Sequence, residues 1–116
     1  MIDMNLINEL RECNKENKIE YITAYIADDI RNKSYSQEQV MDLITIFKSY
    51  NLLSMKYETR EQVLYTICEI MSVYKIDDDE MILNLIKIRD DLERDLKEYV
   101  DDIISFYHNK ASHRQA

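Results

Sequence analysis

Across 116 residues this chain contains no glycine and no proline. Tight β-hairpins place their central residues at positive φ, which Gly or an Asn-Gly pair normally supplies. Without them a protein rich in short strands has few ways to turn. The abundance of Leu, Ile, Met, Glu and Lys points toward helix instead. The expected fold class is all-α: a compact antiparallel bundle of about five helices, with a long C-terminal helix. At this length the chain is one domain, read as 1–107, followed by the polar tail HNKASHRQA at 108–116.

Helical periodicity places the elements. The first helix runs from about Asp3, a plausible N-cap, to Cys13, with Leu6, Ile7 and Leu10 on one face. NKENK (14–18) is a polar break. The second carries Ile19, Ile22, Ile26 and Ile30, and RNKSYS (31–36) ends it. Ser36 opens the third, with Gln39 three residues on in a capping-box pattern and a stripe of Val40, Leu43, Ile44 and Phe47. Thr59 and Gln62 repeat that pattern at the start of the fourth, whose stripe is Val63, Ile67, Ile70 and Tyr74. SQEQV (36–40) and TREQV (59–63) therefore look alike because two helices obey the same capping and stripe rules, with no similarity extending into their flanks. Leu52, Leu53, Met55 and Tyr57, between these helices, are too apolar for an exposed loop and are expected to tuck under the bundle.

The fifth helix is expected to run unbroken from about Asp78 to Tyr107, roughly 45 Å at 1.5 Å per residue. Its stripe is Met81, Leu85, Ile88, Leu92, Leu96, Tyr99, Ile103 and Phe106. Glu93 with Lys97 and Asp90 with Arg94 form favourable i,i+4 pairs. It opens with Asp77-Asp78-Asp79-Glu80. An EF-hand needs alternating oxygen ligands and a glycine at its turn, and a di-iron bundle needs Glu-x-x-His pairs on facing helices. The run has neither, and the two histidines, His108 and His113, lie in the tail. No metal or other cofactor is expected. The four acids read as a helix start: Asp77 as N-cap, Glu80 at N3, all complementing the positive end of the helix dipole.

The acids that follow need another account. Residues 77–102 hold eleven acids and four bases, so nearly all of the net charge of −8 sits on this one segment. Asp91, Asp95, Glu98 and Asp102 fall in one stripe beside the apolar face, with Glu80 further up the same ridge. The ridge is read either as a solvated face or as a recognition surface for a cationic partner, steered at long range and held by Arg- or Lys-carboxylate bonds. On the second reading Glu80, Asp91, Asp95, Glu98 and Asp102, with Tyr99, are the candidate partner-binding residues. Nine tyrosines, against two phenylalanines and no tryptophan, suit the rim of a core or an interface.

The acidic balance disfavours nucleic-acid phosphates and anionic membranes and permits a basic protein partner. No apolar run approaches the roughly 18–20 residues of a membrane span, and MIDMNLINEL lacks the basic and apolar regions of a secretory signal. Cys13 and Cys68 fit no CxxC pattern. Free thiols in a reducing cytoplasm are the expectation, and a bridge between two helices the alternative. There is no glycine-rich phosphate loop, nucleophile elbow or central histidine, so no enzymatic activity is expected.

In its small size, acidity, helicity and tyrosine content, and through the helix, short polar turn and helix of EYITAYIADDIRNKSYSQEQVMDLITIF (20–47), the chain resembles bacterial toxin immunity proteins of the colicin and contact-dependent-inhibition type. The resemblance implies a role, neutralising a toxin by binding its basic surface, and assigns no residue. A nuclease toxin fits best, because its cleft must be basic to hold a polyanion. The competing expectation is a helical adaptor or regulator acting through helix pairing or homodimerisation along the seam of the fifth helix. Either would be a monomer or a homodimer.

Overall fold

The structure, a computed structural model, describes residues 4–32 and 35–115, and the side chains of 6–32 and 35–109. Asp3, expected as an N-cap, and the side chain of His113 lie outside the described residues. Among those described there is no strand. Six α-helices follow one another: α1 (Met4–Glu12), α2 (Glu16–Ile30), α3 (Gln37–Lys48), α4 (Tyr57–Val73), α5 (Asp79–Ile88) and α6 (Arg94–Gln115). Short 3-10 turns at Leu52–Ser54 and Arg89–Asp91 join α3 to α4 and α5 to α6.

Helix α4 is the central element, packed along α2 on one side and α6 on the other. Its close approach to α2 is set by two small polar residues, Thr23 and Thr66, both fully buried. Each hydroxyl donates to its own helix, Thr23 to Ile19 at 2.7 Å and Thr66 to Gln62 at 2.8 Å, and Thr66 Oγ1 lies 3.3 Å from the Thr23 carbonyl, sharing its proton with it. The isoleucines of α2 and the stripe of α3 are all buried. On α4, Val63, Ile67 and Ile70 are buried and joined by Leu64 and Met71, while Tyr74 is half-buried. Tyr74 has a separate task. Its hydroxyl accepts from the Tyr35 N–H at 3.2 Å and donates to the Tyr35 carbonyl at 2.9 Å, satisfying backbone where the chain enters α3.

The two expected capping boxes part company. At α3 the box is complete: Ser36 Oγ accepts from Gln39 N at 3.1 Å and Gln39 Oε1 accepts from Ser36 N at 2.8 Å. At α4 the helix starts two residues earlier than expected, at Tyr57, and Thr59 lies inside it, fully buried. The cap is tertiary. Glu16, in the first turn of α2, accepts the Lys56 backbone N–H at 2.8 Å, and Lys56 Nζ donates to Asn17 at 2.5 Å. At α5 the N-cap is Asp78 and not Asp77: its carboxylate accepts from Met81 N at 3.0 Å and binds Lys48 Nζ at 2.9 Å. Three consecutive aspartates compete for this position, and Lys48 of α3 together with buried Ile76 fixes the register.

The main departure is the expected long fifth helix, which is two helices. Arg89 on one side of the joint makes a two-pronged pair with Asp101 on the other, at 2.7 and 2.9 Å. Twelve residues apart on a straight helix they would be separated by roughly 18 Å. The break moves Asp95 from mid-helix into the first turn of α6, where the helix dipole favours it. It also fits the chain to its core. A straight helix from 79 to 115 would span roughly 55 Å, whereas the molecule measures 41 × 36 × 20 Å. Bent, the segment still buries Met81, Leu85, Leu92, Leu96 and Ile103, and Val100 as well. The expected i,i+4 pairs are replaced: Glu93 makes a tertiary pair with Arg60, and Asp90 pairs with its neighbour Arg89. Helix α6 does not stop near Tyr107 but continues through Gln115.

Arg60 holds the joint and the α3–α4 connection together. Its guanidinium donates to the carbonyls of Leu52 (2.9 Å), Leu53 (3.1 Å) and Met55 (2.6 Å), and to both oxygens of Glu93 (2.7 and 2.8 Å). Leu52 is thereby buried and Met55 half-buried, but Leu53, expected inside, is exposed: only its carbonyl is used. Cys13 and Cys68 are half-buried and unbridged.

Candidate acidic and tyrosine face of α4 and α6

Helix α6 presents Asp95, Glu98 and Asp102 at i, i+3 and i+7, all exposed, with Tyr99 half-buried on the edge nearer the core. These four candidate residues share one helix face. The other two do not belong to it. Glu80 lies on α5, where its carboxylate binds Lys48 Nζ at 3.2 Å, and Asp91 lies exposed in the 3-10 turn, off the helical register of α6.

The packing of α4 against α6 adds residues that a segment-by-segment charge count misses. Tyr57, Glu61, Tyr65 and Glu69 follow one another at i,i+4 along α4. Tyr57 donates its one hydroxyl proton to the Asp95 carboxylate, with the Glu61 carboxylate 3.4 Å from the same oxygen. Tyr65 donates to Glu69 at 2.6 Å and meets Tyr99 edge to face, ring centroids 6.2 Å apart. Arg31 of α2 closes the far end, donating to Tyr65 Oη at 2.9 Å and to Glu69 at 2.5 Å. The Tyr-x-x-x-Glu repeat was visible in the sequence, but only its docking beside α6 makes it one surface with the aspartates.

The electrostatics follow from this geometry. The hydrogen bond to Asp95 raises the Tyr57 hydroxyl well above the usual tyrosine range, with burial and the charge of Glu61 adding to it. Burial, followed by the charges of Glu61 and Asp95, raises Tyr99. The Tyr65 hydroxyl is raised chiefly by its bond to Glu69. Burial alone would raise Glu69, but the hydrogen bonds from Tyr65 and Arg31 outweigh it and hold the carboxyl below its ordinary value. These tyrosines therefore stay protonated, as donors, and Glu69 stays charged. Cys68, on the same flank, is pushed up to about 11 by burial and then by Asp102 and Glu69, which keeps it a neutral thiol at neutral pH.

Elsewhere in 77–102 the carboxylates are largely matched within the chain. Asp78 and Glu80 share Lys48, Glu93 binds Arg60, and Asp90 and Asp101 bind Arg89. Glu98 and Asp102 make no ion pair or hydrogen bond with a described residue, and the partner of Asp95 is a neutral hydroxyl. Asp79 and Asp91 are also exposed without an ion pair, but singly; the carboxylates without a cationic partner that stand in register are those of α6, next to tyrosine rings. Among the described residues no group of three or more His, Cys, Asp or Glu side chains is arranged to hold a metal ion, and no helix is long and apolar enough to cross a membrane. No protein-family model, curated protein or solved structure matches the chain.

Proposed function

We infer that this protein is an acidic protein-binding inhibitor acting on a basic partner, in its most specific form an immunity protein that neutralises a toxin, with a nuclease as the leading candidate. The observation that carries the reading is the contrast within one segment. Asp78 and Glu80 share Lys48, Glu93 binds Arg60, and Asp90 and Asp101 share Arg89, leaving Asp79 and Asp91 as isolated exposed acids, whereas Asp95, Glu98 and Asp102 are displayed in register beside Tyr57, Tyr65 and Tyr99. Carboxylates recognise guanidinium and ammonium groups, and tyrosines supply apolar contact and a hydrogen bond at little entropic cost. The role proposed is one of binding, and Cys68 on this flank, raised to about 11 by burial, is a neutral thiol there.

The test uses two baits in cytosol from the source organism, the native chain and the Asp95→Lys/Glu98→Lys/Asp102→Lys variant. The native chain should retain a basic protein that the variant loses, and co-expression of the native chain should protect cells from that protein's toxicity. Equal retention by both baits would remove the acidic face from the account. Retention without protection would leave a binding protein that is not an immunity protein.

The second reading, helix pairing, rests on different residues from those the seam suggested. Leu92, Leu96 and Ile103 are spent in the core, but Leu83 and Ile86 on α5 are 57% and 49% exposed, one helical turn apart. A concentration-dependent dimer in sedimentation, abolished by Leu83→Glu, would favour that reading.

A further inference from the structure

A half-open cleft of about 230 Å³ lies between the end of α3, the turn that follows it and α5. Leu52, Ile67, Leu85 and Ile88 are among its apolar lining residues, and Asn51 and Asn84 among its polar ones. None of its lining residues belongs to the acidic face. Interiors pack at a density of about 0.74 and leave few gaps of this size. An apolar cavity of about 150 Å³ can stay dry and admit benzene. At interior density this cleft accommodates about ten non-hydrogen atoms.

Charge selects the class of occupant. The cleft is also lined by Lys48 and Lys87, the basic residues in the last turns of α3 and α5. Lys48 is already bound to Asp78 at 2.9 Å and Glu80 at 3.2 Å. Lys87 makes no ion pair with a described residue and stands at the negative end of the α5 dipole, which partly offsets its charge. The lysines therefore disfavour a cation, while the one lysine without an ion pair, Lys87, is partly offset by the dipole and set in a chain of net charge −8 that repels an anion. The neutral polar groups that remain are the carboxamides of Asn51 and Asn84, each with a donor and an acceptor, and the hydroxyl of Tyr50, buried without a hydrogen-bond partner.

We propose that this cleft binds a small uncharged molecule with an apolar body of about eight to ten carbons and a single hydroxyl or carbonyl, its tail on Leu52, Ile67, Leu85 and Ile88 and its polar end at Asn51 and Asn84. The test compares three probes with the same tail and different charge: 1-octanol, octanoate and octylammonium. Each is titrated into protein labelled at Leu and Ile methyl groups and followed by heteronuclear NMR. 1-Octanol should shift the methyl signals of those four residues saturably, and the two charged probes should bind at least about tenfold more weakly. Asn84→Trp, an exposed change at the cleft, should abolish the shifts in a protein whose thermal transition is unaltered. The proposal is overturned by shifts that do not saturate, by a charged probe binding as tightly as the alcohol, or by a folded Asn84→Trp protein that binds 1-octanol unchanged.

Discussion

Arg60 does at one position what glycine and proline do in other chains. The α3–α4 connection has no residue that presets a turn, so three of its carbonyls are gathered by one guanidinium, on a side chain only 11% exposed, and that guanidinium is held by Glu93. Arg60→Ala leaves those acceptors without their donor and is expected to cost about 2–4 kcal/mol in urea denaturation. Arg60→Lys should recover little of this, because one ammonium cannot reproduce a planar fork. Two other side chains have the opposite character. The hydroxyls of Thr59 and Tyr50 are buried without a hydrogen-bond partner, and burial pushes Tyr50 up to about 12. Removing an unsatisfied buried hydroxyl while keeping shape is favourable, so Thr59→Val and Tyr50→Phe should each raise stability by about 1 kcal/mol. A loss of stability in either variant would mean that the hydroxyl has a partner after all.

Among the elements, those whose limits depend on local chemistry were legible from sequence and those fixed by tertiary contacts were not. The Ser36 capping box and the stripes of α2 and α3 follow from spacing alone, and the structure realises each of them. The start of α4 and the α5–α6 break have no local signature. One is capped by a carboxylate from α2, and the other is held by Arg60 and by Arg89 with Asp101. A hydrophobic stripe continues across such a joint, because both halves face the same core, so periodicity alone reads one helix. The candidate site divides the same way. Asp95, Glu98, Tyr99 and Asp102 share a face because they are close in sequence on α6, whereas Glu80 depended on a straight helix and was lost with it. Tyr57, Glu61, Tyr65 and Glu69 joined the site only through α4–α6 packing. The joint makes its own prediction. Arg89→Ala should leave global stability nearly unchanged, since the pair is solvent-exposed, but should speed amide exchange at Leu92, whose N–H bonds to the Arg89 carbonyl in the turn, and at Leu96 and Lys97, whose N–H groups bond to the Glu93 carbonyl where α6 begins. Exchange there as slow as in the native chain would show that Arg60 and Glu93 hold the break without Arg89.

For the whole molecule, charge bears on stability and, on the proposed function, on recognition. Asp101 is held below its ordinary value first by its bond to Arg89, Glu93 first by its own backbone N–H and then by Arg60, and Glu69 by Tyr65 and Arg31 against the cost of burial. A carboxyl depressed in the folded state stabilises the fold above its unfolded pKa and loses that contribution as pH falls through the folded value. Stability should therefore decline as pH drops below the ordinary carboxylate range, near 4. Self-repulsion works in the same direction there, because protonating the acids leaves the 15 Lys and Arg and the 2 His residues as the charge. Urea midpoints at pH 7 and pH 3 check this, and equal midpoints would contradict it.

At neutral pH the same acids repel one another along α6. Reversing Asp95, Glu98 and Asp102 to lysine should leave the thermal transition in place or raise it slightly, since like charges at i,i+4 oppose a helix by only a few tenths of a kcal/mol per pair. Partner binding should respond in the opposite sense. The measurement that decides is the association rate of the native chain and the triple reversal with the captured basic protein, at low and at physiological ionic strength. An acidic face that steers a cationic partner predicts a fast native on-rate that falls steeply with salt, and a reversed variant slower by at least about tenfold that salt accelerates. Equal rates with equal salt dependence would contradict the central claim, leaving Asp95, Glu98 and Asp102 as a solvated surface and nothing more.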